Sequence, residues 1–301
     1  MQKFLITGSQ GFVARHFIEY LEHNTSNCTI LGVDIKNSDP LTNFNISNCS
    51  YKYLQLDMLN QYEIGNVLEN FRPDFILHLA SFSSVSYSWQ NPTECFVNNT
   101  NIFLNLVEQI RLKKIKCRVL SIGSSEEYGK VNPEDIPLRE SGKLNPISPY
   151  AVARVSQELL SKIYVSGYGL EIILTRSFNH IGVGQSKVFA IPSFIEQIYV
   201  QKLKGNSVAN LTVGDINIIR DFIDVRDVVN AYYNLLLYGS VGEIYNICSG
   251  KGYRLKDVLQ EISLLLEIEI NLTTDQSLIR PDDNQVINGS NATIKKHIGW
   301  Y

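Results

Sequence analysis

The chain has 301 residues, of which 44% are hydrophobic and 19% are charged, and its formal net charge is −3 at pH 7. A chain of this size can bury one large core or two modest domains, and its weak negative charge argues against nucleic acid or a membrane surface as the partner. The first predicted strand begins at Lys3 and no apolar run is long enough to cross a bilayer, so we expect no signal peptide, no membrane span and a cytoplasmic location.

The cysteines and histidines give no sign of a metal centre. The five cysteines are scattered at positions 28, 49, 95, 117 and 248, and their number is odd. This distribution is typical of reduced thiols in a cytoplasm, and it favours neither a disulfide framework nor a zinc site. The five histidines show no ligand spacing either. We therefore expect three features to be absent: a metal, a zinc site and a disulfide.

A glycine-rich turn joins the first predicted strand to the first predicted helix. Residues 3–7 form a short apolar run, and residues 12–21 have the amphipathic pattern of a helix. Between them, Gly8 permits a tight turn, Gly11 lets a pyrophosphate approach the backbone, and Ala14 is small where helix and strand must pack. The free N–H groups at the start of such a helix attract phosphates. The turn therefore predicts a dinucleotide site.

A carboxylate follows the second predicted strand. Residues 29–33 are apolar, and Asp34 comes twenty residues after Ala14. In this position a carboxylate accepts hydrogen bonds from the ribose hydroxyls of NAD(H) and repels the 2′-phosphate of NADP(H). NAD(H) is therefore favoured. Lys36, two residues further on, could tolerate the phosphate, so NADP(H) remains possible.

Strand and helix patterns then alternate, which is typical of a parallel sheet with helices on both faces. Because ligands bind beyond the carboxyl ends of such strands, Ser81, Ser124 and Asn179 are expected to meet at that edge. The predicted strands are 75–79, 118–122 and 170–175, and the predicted helices are 64–70, 93–112 and 149–166.

The pattern changes near residue 180. Helices at 192–204 and 258–266 and a strand at 209–213 follow, whereas residues 223–237 and 243–247 look like a return to the first domain. We therefore predict an α/β chain, with a Rossmann-type doubly wound parallel sheet and a smaller C-terminal substrate-binding domain. The predicted boundaries are 1–178 for the dinucleotide-binding domain, completed by about 223–250, and 179–222 with 251–301 for the substrate domain.

Tyr150 and Arg154 lie four residues apart in a predicted helix, so their side chains point the same way. A free phenol has a pKa near 10, and a fixed cation beside it favours the phenolate. A tyrosine beside a cation is compatible with proton transfer, but the spacing alone does not predict that role. Such a pair is common on surface helices, so this interpretation depends on the other motifs.

These motifs together resemble the extended short-chain dehydrogenase/reductase family of nucleotide-sugar epimerases, dehydratases and reductases, over nearly the whole chain. GDP-4-keto-6-deoxy-D-mannose reductases look most similar, through residues 176–182, 213–228 and 245–250. The family carries a lysine where this chain has Arg154, which keeps the charge but cannot release a proton as lysine does. The motifs are Gly8/Gly11/Ala14, His78-Leu79-Ala80, Gly123-Ser124-Ser125-Glu126-Glu127-Tyr128-Gly129, Tyr150 with Arg154, Arg220-Asp221-Phe222 and Arg280-Pro281-Asp282-Asp283.

The resemblance implies four catalytic residues. Tyr150 would give a proton to the C4 oxygen of the sugar as hydride arrives, and Ser124 would hydrogen-bond the same oxygen. Arg154 would activate the tyrosine and bind the nicotinamide ribose. Glu126 lies where dehydratases carry the acid that removes water across C5–C6. Reductases have a similar run of residues, so Glu126 does not separate the two activities.

The resemblance also implies two sets of binding residues. Donors are needed for the substrate diphosphate, and Asn179, Arg220 and Arg280 would supply them. The implied cofactor-binding residues are Gly8, Gln10, Gly11, Phe12, Val13, Asp34, Asp57, Met58, Leu79, Ala80, Ser81, Asn99, Tyr150, Arg154 and Phe178. The implied substrate-binding residues are Ser83, Ser84, Val85, Ser124, Asn179, Lys187, Val188, Arg220 and Arg280.

The predicted activity is that of an NAD(P)-dependent nucleotide-sugar oxidoreductase of polysaccharide biosynthesis, which reduces the C4 keto group of a GDP-linked 6-deoxyhexose or heptose. The alternatives are a GDP-sugar 4-epimerase, 4-dehydrogenase or 4,6-dehydratase with tightly bound NAD, and a cofactor-binding protein without catalysis. The resemblance further implies a homodimer, formed through a four-helix bundle of the predicted helices 93–112 and 149–166.

Overall fold

Strands alternate with helices through most of the structure, a computed structural model that describes residues 1–37, 46–279 and 284–300. The strands are β1 (Gln2–Thr7), β2 (Cys28–Asp34), β3 (Cys49–Gln55), β4 (Phe75–His78), β5 (Arg118–Ser124), β6 (Glu171–Ser177), β7 (Asn179–Ile181), β8 (Val208–Val213), β9 (Ile219–Asp224), β10 (Ile244–Ile247), β11 (Gly252–Arg254), β12 (Glu269–Thr274) and β13 (Val286–Ile287).

The helices predicted from apolar periodicity are all present, with ends within a few residues of the predicted ones. Among the described residues, no helix is both long enough and apolar enough to span a bilayer. The helices are α1 (Phe12–Asn24), α2 (Gln61–Phe71), α3 (Val85–Gln90), α4 (Pro92–Leu112), α5 (Pro149–Tyr168), α6 (Ala190–Leu203), α7 (Val225–Tyr238), α8 (Leu255–Leu265) and α9 (Ala292–Ile298), with 3-10 turns at Ser125–Tyr128, Pro133–Asp135 and Gln276–Leu278.

Seven of the described strands form one parallel sheet in the order β3-β2-β1-β4-β5-β6-β10. The order reverses direction between β1 and β4, which opens a crevice at the carboxyl ends of these two strands. The predicted fold class, a doubly wound Rossmann-type sheet, is therefore confirmed. The predicted return of residues 243–247 to this sheet is also confirmed, because β10 pairs with β6.

Apolar side chains of β1 supply both faces of this sheet, because successive residues of a strand point to opposite sides. Phe4 packs with Phe17 of α1 in the core that also contains α7. Leu5 points the other way and packs with Phe103 of α4, in the core shared with α2 and α5. Burying each large apolar side chain contributes about 1.5–3 kcal/mol. The two cores fix the helices around the crevice.

A second group of elements lies after β6 in the sequence. The strands β8 and β12 pair in parallel, and α6 and α8 cover them around buried Phe194, Ile198, Leu211 and Leu259. A small sheet places β9 beside β7, β11 and β13. The strand β9 thereby brings Arg220 toward the large sheet. The domain boundaries given above stay a prediction.

The expectation of reduced cysteines is wrong for two of the five. Cys28 and Cys49 form a disulfide, with their Cα atoms 4.7 Å apart. They are directly opposite each other at the first register position of β2 and β3. The strand β3 was not predicted, because its polar residues lie at the edge of the sheet. Without β3, no sequence pattern indicates that these two cysteines lie close together. Cys95, Cys117 and Cys248 are free thiols.

Candidate active site

The glycine turn after β1 has the geometry that a phosphate site requires. Gly8 has a φ of +66°, and a Cβ there would lie 2.7 Å from the backbone nitrogen of Ala80. The turn closes with a hydrogen bond of 2.9 Å from Gly11 N to Gly8 O. Gly11 then begins α1 without a side-chain cap, so the first N–H groups of the helix remain for a ligand.

Asp34 lies beside this turn at the end of β2. Its Oδ2 accepts a hydrogen bond from Gln10 N at 3.1 Å, and its Oδ1 accepts one from Lys36 N at 3.3 Å. Asp57 follows β3, the neighbouring strand, and its Oδ1 accepts from Leu59 N at 2.9 Å. The helix N-terminus, the close backbone approach at Gly8 and the carboxylate of Asp34 together fit a dinucleotide.

The loop after β4 carries Leu79, Ala80 and Ser81 across the crevice from the glycine turn. Thr7 Oγ1 holds this loop by accepting from the backbone nitrogens of Leu79 and Ala80, each at 3.2 Å. Asn99 holds its continuation, because its amide donates to Phe82 O at 2.9 Å and accepts from Phe82 N at 2.8 Å. Asn99 thus positions the loop through its side chain, an arrangement that the resemblance did not specify.

Tyr150 and Arg154 meet on the first turns of α5, as predicted. The helix begins with Ser148 as its cap, which accepts from Ala151 N at 3.1 Å. Arg154 Nε donates to the Tyr150 hydroxyl at 3.2 Å, and the guanidinium carbon lies 5.2 Å from the centroid of the tyrosine ring. Both side chains are buried, at 6% and 5% exposure. The guanidinium therefore contacts the phenol oxygen in the interior of the protein.

Arg154 also connects α5 to β5 and to the loop after β4 through hydrogen bonds. Its Nη1 donates to Ile122 O in β5 at 2.9 Å and to Gln157 Oε1 at 2.8 Å. Its Nη2 donates to Ser81 Oγ in the loop after β4. The arginine therefore lies between the predicted cofactor crevice and the tyrosine, where the family carries its lysine.

Ser124 ends β5 and begins the 3-10 turn Ser125–Tyr128. Its Oγ accepts from Glu126 N at 3.2 Å, and its backbone N–H donates to Glu127 Oε1 at 2.6 Å. Glu127 is fully buried. This burial, together with the nearby charge of Glu158, raises its pKa to about 8. Glu127 therefore holds Ser124 as a neutral acid near neutral pH.

A buried ion pair lies behind this turn. Arg176 Nε and Nη2 donate to the two carboxylate oxygens of Glu158 at 2.8 and 3.1 Å. The Arg176 guanidinium also lies 4.7 Å from the centroid of the Tyr128 ring. Sequence reasoning assigned no role to Glu127 or Glu158, because the residues next to them in the chain do not indicate that they are buried.

An open cleft of about 530 Å³, part of it solvent, lies next to this turn. We call it the substrate cleft. It brings together four residues predicted to act on the substrate, Val85, Glu126, Asn179 and Arg220. Its other lining residues had not been predicted as substrate contacts, and they are Trp89, Ser125, Gly129, Ile147, Ser148, Asn284 and Ile287.

The donors of the substrate cleft are held by backbone carbonyls. Arg220 Nη1 donates to Ile219 O and to Asn284 O, both at 2.9 Å. Asn284 also donates to Gly129 O at 2.7 Å and accepts from Val131 N at 2.9 Å. It thereby joins the arginine to the chain that follows the 3-10 turn. Asn179 Nδ2 donates to Asp221 O at 3.1 Å.

Other predicted residues lie away from the substrate cleft. Lys187 is exposed and forms an ion pair with Glu196 at 3.0 Å, and Val188 is also exposed. Neither lines the cleft. Ser84 caps α3 by accepting from Tyr87 N at 3.2 Å, and Phe178 is buried against Tyr128. Arg280 lies outside the described residues.

The chain is similar to known proteins over nearly its whole length. Residues 5–301 match the family model described as GDP-mannose 4,6 dehydratase. GDP-6-deoxy-D-mannose reductase of Pseudomonas aeruginosa is 29% identical over 299 residues, which are 99% of this chain and 91% of that protein. GDP-6-deoxy-D-talose 4-dehydrogenase of Aggregatibacter actinomycetemcomitans is 27% identical over 282 residues, 93% of this chain and 86% of that protein.

Among solved structures, that of RMD from Pseudomonas aeruginosa complexed with NADPH is similar, with 28% sequence identity and a TM-score of 0.85. The similarity covers 100% of this chain and 93% of that chain. The resemblance seen in the motifs is thus confirmed, and the chain belongs to the GDP-mannose 4,6 dehydratase family.

Proposed function

We propose that this protein is an NAD(P)-dependent oxidoreductase that reduces the C4 keto group of a GDP-linked 6-deoxyhexose or heptose. The contact between Tyr150 and Arg154, buried beside the carboxyl end of β5, is the observation that carries this proposal. The similarity to a GDP-6-deoxy-D-mannose reductase over 99% of the chain supports reduction as the direction.

The chain's own residues supply the proton chemistry. Reduced nicotinamide, when bound, supplies the hydride. Tyr150 donates a proton to the C4 oxygen, and the Ser124 hydroxyl hydrogen-bonds the same oxygen and orients it. Arg154 stabilises the phenolate that remains after the transfer. The carbonyl thereby becomes an alcohol, and Tyr150 must take up a proton before the next cycle.

The substrate cleft supports a diphosphate-linked sugar. Arg220 is a fixed cation with N–H donors that suit phosphate oxygens, and Asn179 adds an amide beside it. The sugar would extend from these donors toward Ser125 and Ser148, whose hydroxyls match sugar hydroxyls. The GDP-linked substrates in the names of the two relatives support guanosine as the base.

Asp34 supports NAD(H) as the preferred cofactor. Its carboxylate is held at the edge of the glycine turn, where a 2′-phosphate would meet a negative charge. The similar Pseudomonas aeruginosa structure was complexed with NADPH, so NADP(H) is the alternative cofactor.

A second activity, 4,6-dehydration, has support from one residue. Glu126 lines the substrate cleft, where it could act as the acid that removes water across C5–C6. Dehydration starts from a 4-hydroxyl sugar and needs bound NAD, whereas reduction starts from a 4-keto sugar and consumes reduced cofactor. The starting substrate therefore separates the two activities.

The protein is further proposed to be a homodimer. The helices α4 and α5 leave a row of apolar side chains exposed, which a second copy would cover as a four-helix bundle. On α5, Val152, Leu159 and Ile163 follow helical spacing and are 41%, 48% and 56% exposed. On α4, Phe96 and Val97 are exposed as well.

The test is an assay with two substrates. Purified protein is mixed with GDP-4-keto-6-deoxymannose and NADH or NADPH, and loss of reduced cofactor and formation of the 4-hydroxyl product are measured. We expect both signals together. A second reaction contains GDP-mannose and NAD⁺. If the 4-keto product forms in this second reaction and the keto sugar is not reduced in the first, the activity is dehydration and not reduction.

A further inference from the structure

The guanidinium of Arg154 is held more firmly than a charge beside a tyrosine requires. Arginine has five N–H donors. One is used on Tyr150, two on Ile122 O and Gln157 Oε1, and one on Ser81 Oγ. No residue in the described ranges accepts the second N–H of Nη2. One donor is thus left on the side of Ser81, toward the cofactor crevice.

Gln157 has a fixed orientation beside this guanidinium. It is 1% exposed, and its Nε2 donates to Ser121 Oγ at 2.9 Å and to Ile122 O at 3.1 Å. Its Oε1 is therefore directed at Arg154. If the amide were reversed, its NH2 group would face the Nη1 donors of Arg154. Ser121 Oγ would also lose the hydrogen bond that Gln157 donates. Ser161 Oγ supports this arrangement by lying 3.1 Å from Ser121 Oγ.

We propose that Gln157 is a positioning residue, which holds Arg154 so that Nε reaches Tyr150 and one Nη2 donor remains for the nicotinamide ribose. This inference rests on the proposed function. It adds a residue that the motifs did not single out and that contacts neither the predicted cofactor nor the substrate. Gln157 acts through Arg154 alone.

Geometry explains why an arginine needs such support. The guanidinium is a planar fork on a long flexible stem, and its charge is delocalised. Without Gln157, the Nη1 group would keep one partner, Ile122 O, and the fork would lose one of the four contacts that fix its plane. A displacement of about 1 Å at a reacting group can cost roughly a hundred-fold in rate. Gln157 therefore affects the rate through the position of the Nε–H beside Tyr150.

Four other ionisable groups near Arg154 do not change protonation state around neutral pH: three stay uncharged, and Glu158 stays ionised. Burial lowers the pKa of His78 on β4 to about 3. Burial raises the pKa of Cys95 on α4 and of Tyr232 on α7. The pair with Arg176 keeps Glu158 ionised. Glu127, which holds Ser124, has a pKa of about 8. The pH dependence is therefore compared in a Glu127→Gln background, where a change after substitution of Gln157 reports on Tyr150 and Arg154.

The experiment compares Gln157→Leu with Gln157→Glu in the full-length protein. Dissociation constants for NADH are measured by fluorescence, and kcat for the keto sugar is measured across pH. For Gln157→Leu we expect kcat to fall about ten-fold to a hundred-fold. We also expect its rate profile to move to higher pH and NADH to bind several-fold more weakly.

Gln157→Glu separates position from charge. The carboxylate still accepts from Nη1, so NADH affinity should stay near that of the wild type. Its negative charge offsets the guanidinium, so the rate profile should still move to higher pH. Ser156→Ala is the matched control, because Ser156 is the neighbour of Gln157 on α5 and its hydroxyl donates to Val152 O at 2.9 Å rather than to the network around Arg154. It should leave the profile unchanged.

A double-mutant cycle with Arg154→Ala supplies the decisive result. If Gln157 acts through Arg154, Gln157→Leu will cause little further loss of NADH affinity or rate in the Arg154→Ala background. The proposal would be overturned if Gln157→Leu caused equal losses of rate and NADH affinity in both backgrounds. It would also be overturned if the folded Gln157→Leu protein kept the wild-type pH profile and NADH affinity. A wild-type protein that binds NADH but reduces no keto sugar would instead refute the proposed function, and the binding arm would still test Gln157.

Discussion

The chemistry of single side chains centres on Tyr150, whose hydroxyl is buried and bonded to one cation. Arg154 Nε is 3.2 Å from this oxygen. Ser124 lies at the end of the neighbouring strand, with its hydroxyl accepting from Glu126 N. The proposed function gives proton transfer to Tyr150 and orientation of the carbonyl to Ser124, and each role can be tested separately.

Tyr150→Phe should lower kcat by about two orders of magnitude or more, because a positioned general acid contributes about that much. Cofactor affinity should change little, since the ring remains. Steady-state kinetics and NADH titration check the two parts. Ser124→Ala should give a smaller loss of the same kind. Turnover retained in Tyr150→Phe would remove the tyrosine from the mechanism.

Arg154→Lys should be less active than the wild type, although lysine is the family residue. A lysine ammonium would lie near the guanidinium carbon, so it has no donor at the position of Nε. It would remain close to Ile122 O and Gln157 Oε1, which would draw it away from Tyr150. We expect a lower kcat, with weaker NADH binding measured by fluorescence. Equal or better turnover would mean that the site tolerates either cation and that the fork has no special role.

Asp34 should make NADH bind more tightly than NADPH, by about ten-fold. The reason is the repulsion between its carboxylate and the 2′-phosphate. Titration of both reduced cofactors by fluorescence measures the ratio. Asp34→Asn should narrow the ratio, because the amide is similar in size and uncharged. If the wild type binds NADPH equally well or better, Lys36 or another group dominates and the interpretation of Asp34 is wrong.

At the scale of elements, the 3-10 turn after β5 depends on a buried acid. Glu127 accepts from Ser124 N, and the hydroxyl of Ser124 accepts from Glu126 N, so the end of the strand and the turn hold each other. The neighbouring pair of Glu158 and Arg176 anchors the same region to α5 and β6. Ser124, the proposed catalytic serine, is therefore positioned by contacts that link three elements.

Glu127 should make stability depend on pH. Burial raises its pKa from 4.5 to about 8, so the folded state keeps a proton that the unfolded state releases. Its contribution to stability is full below about pH 4.5 and is lost as pH rises through 8, by up to about 1.4 kcal/mol per pH unit. Urea unfolding of the wild type and Glu127→Gln between pH 5.5 and 8 measures this.

The difference in unfolding free energy between wild type and Glu127→Gln should shift in favour of the glutamine variant as pH rises. Glu134→Gln is the control, because Glu134 is exposed and its substitution should give no such trend. A difference between wild type and Glu127→Gln that does not vary with pH would mean that Glu127 is ionised in the folded protein.

At the scale of the whole molecule, the exposed apolar side chains of α4 and α5 form the proposed dimer interface. Ile163→Glu would place a charge in the proposed four-helix bundle and should shift the protein to monomers in light scattering coupled to size exclusion. Leu265→Glu is the matched control, because Leu265 is 80% exposed on α8 and lies on neither helix. A monomeric wild type, or equal behaviour of both variants, would contradict the dimer.

Local signals determined much of the fold and part of the site from the sequence. The roles of Gly8 and Gly11 can be predicted from the sequence, because a positive φ and a close backbone approach need glycine whatever surrounds them. The position of Asp34 at the end of the second strand follows from the length of one strand–helix–strand unit. Tyr150 and Arg154 lie one turn apart on a helix, and helical geometry alone makes them neighbours.

Contacts between distant segments were decided only by the tertiary structure. The disulfide needed β2 and β3 to pair in one register, and β3 is too polar for its pattern to predict. Asn284 reaches Arg220 and Gly129 across separate segments. The buried acid Glu127 looks like an ordinary polar loop residue in the sequence. Burial and partner choice depend on where the chain folds back, which short-range patterns do not encode.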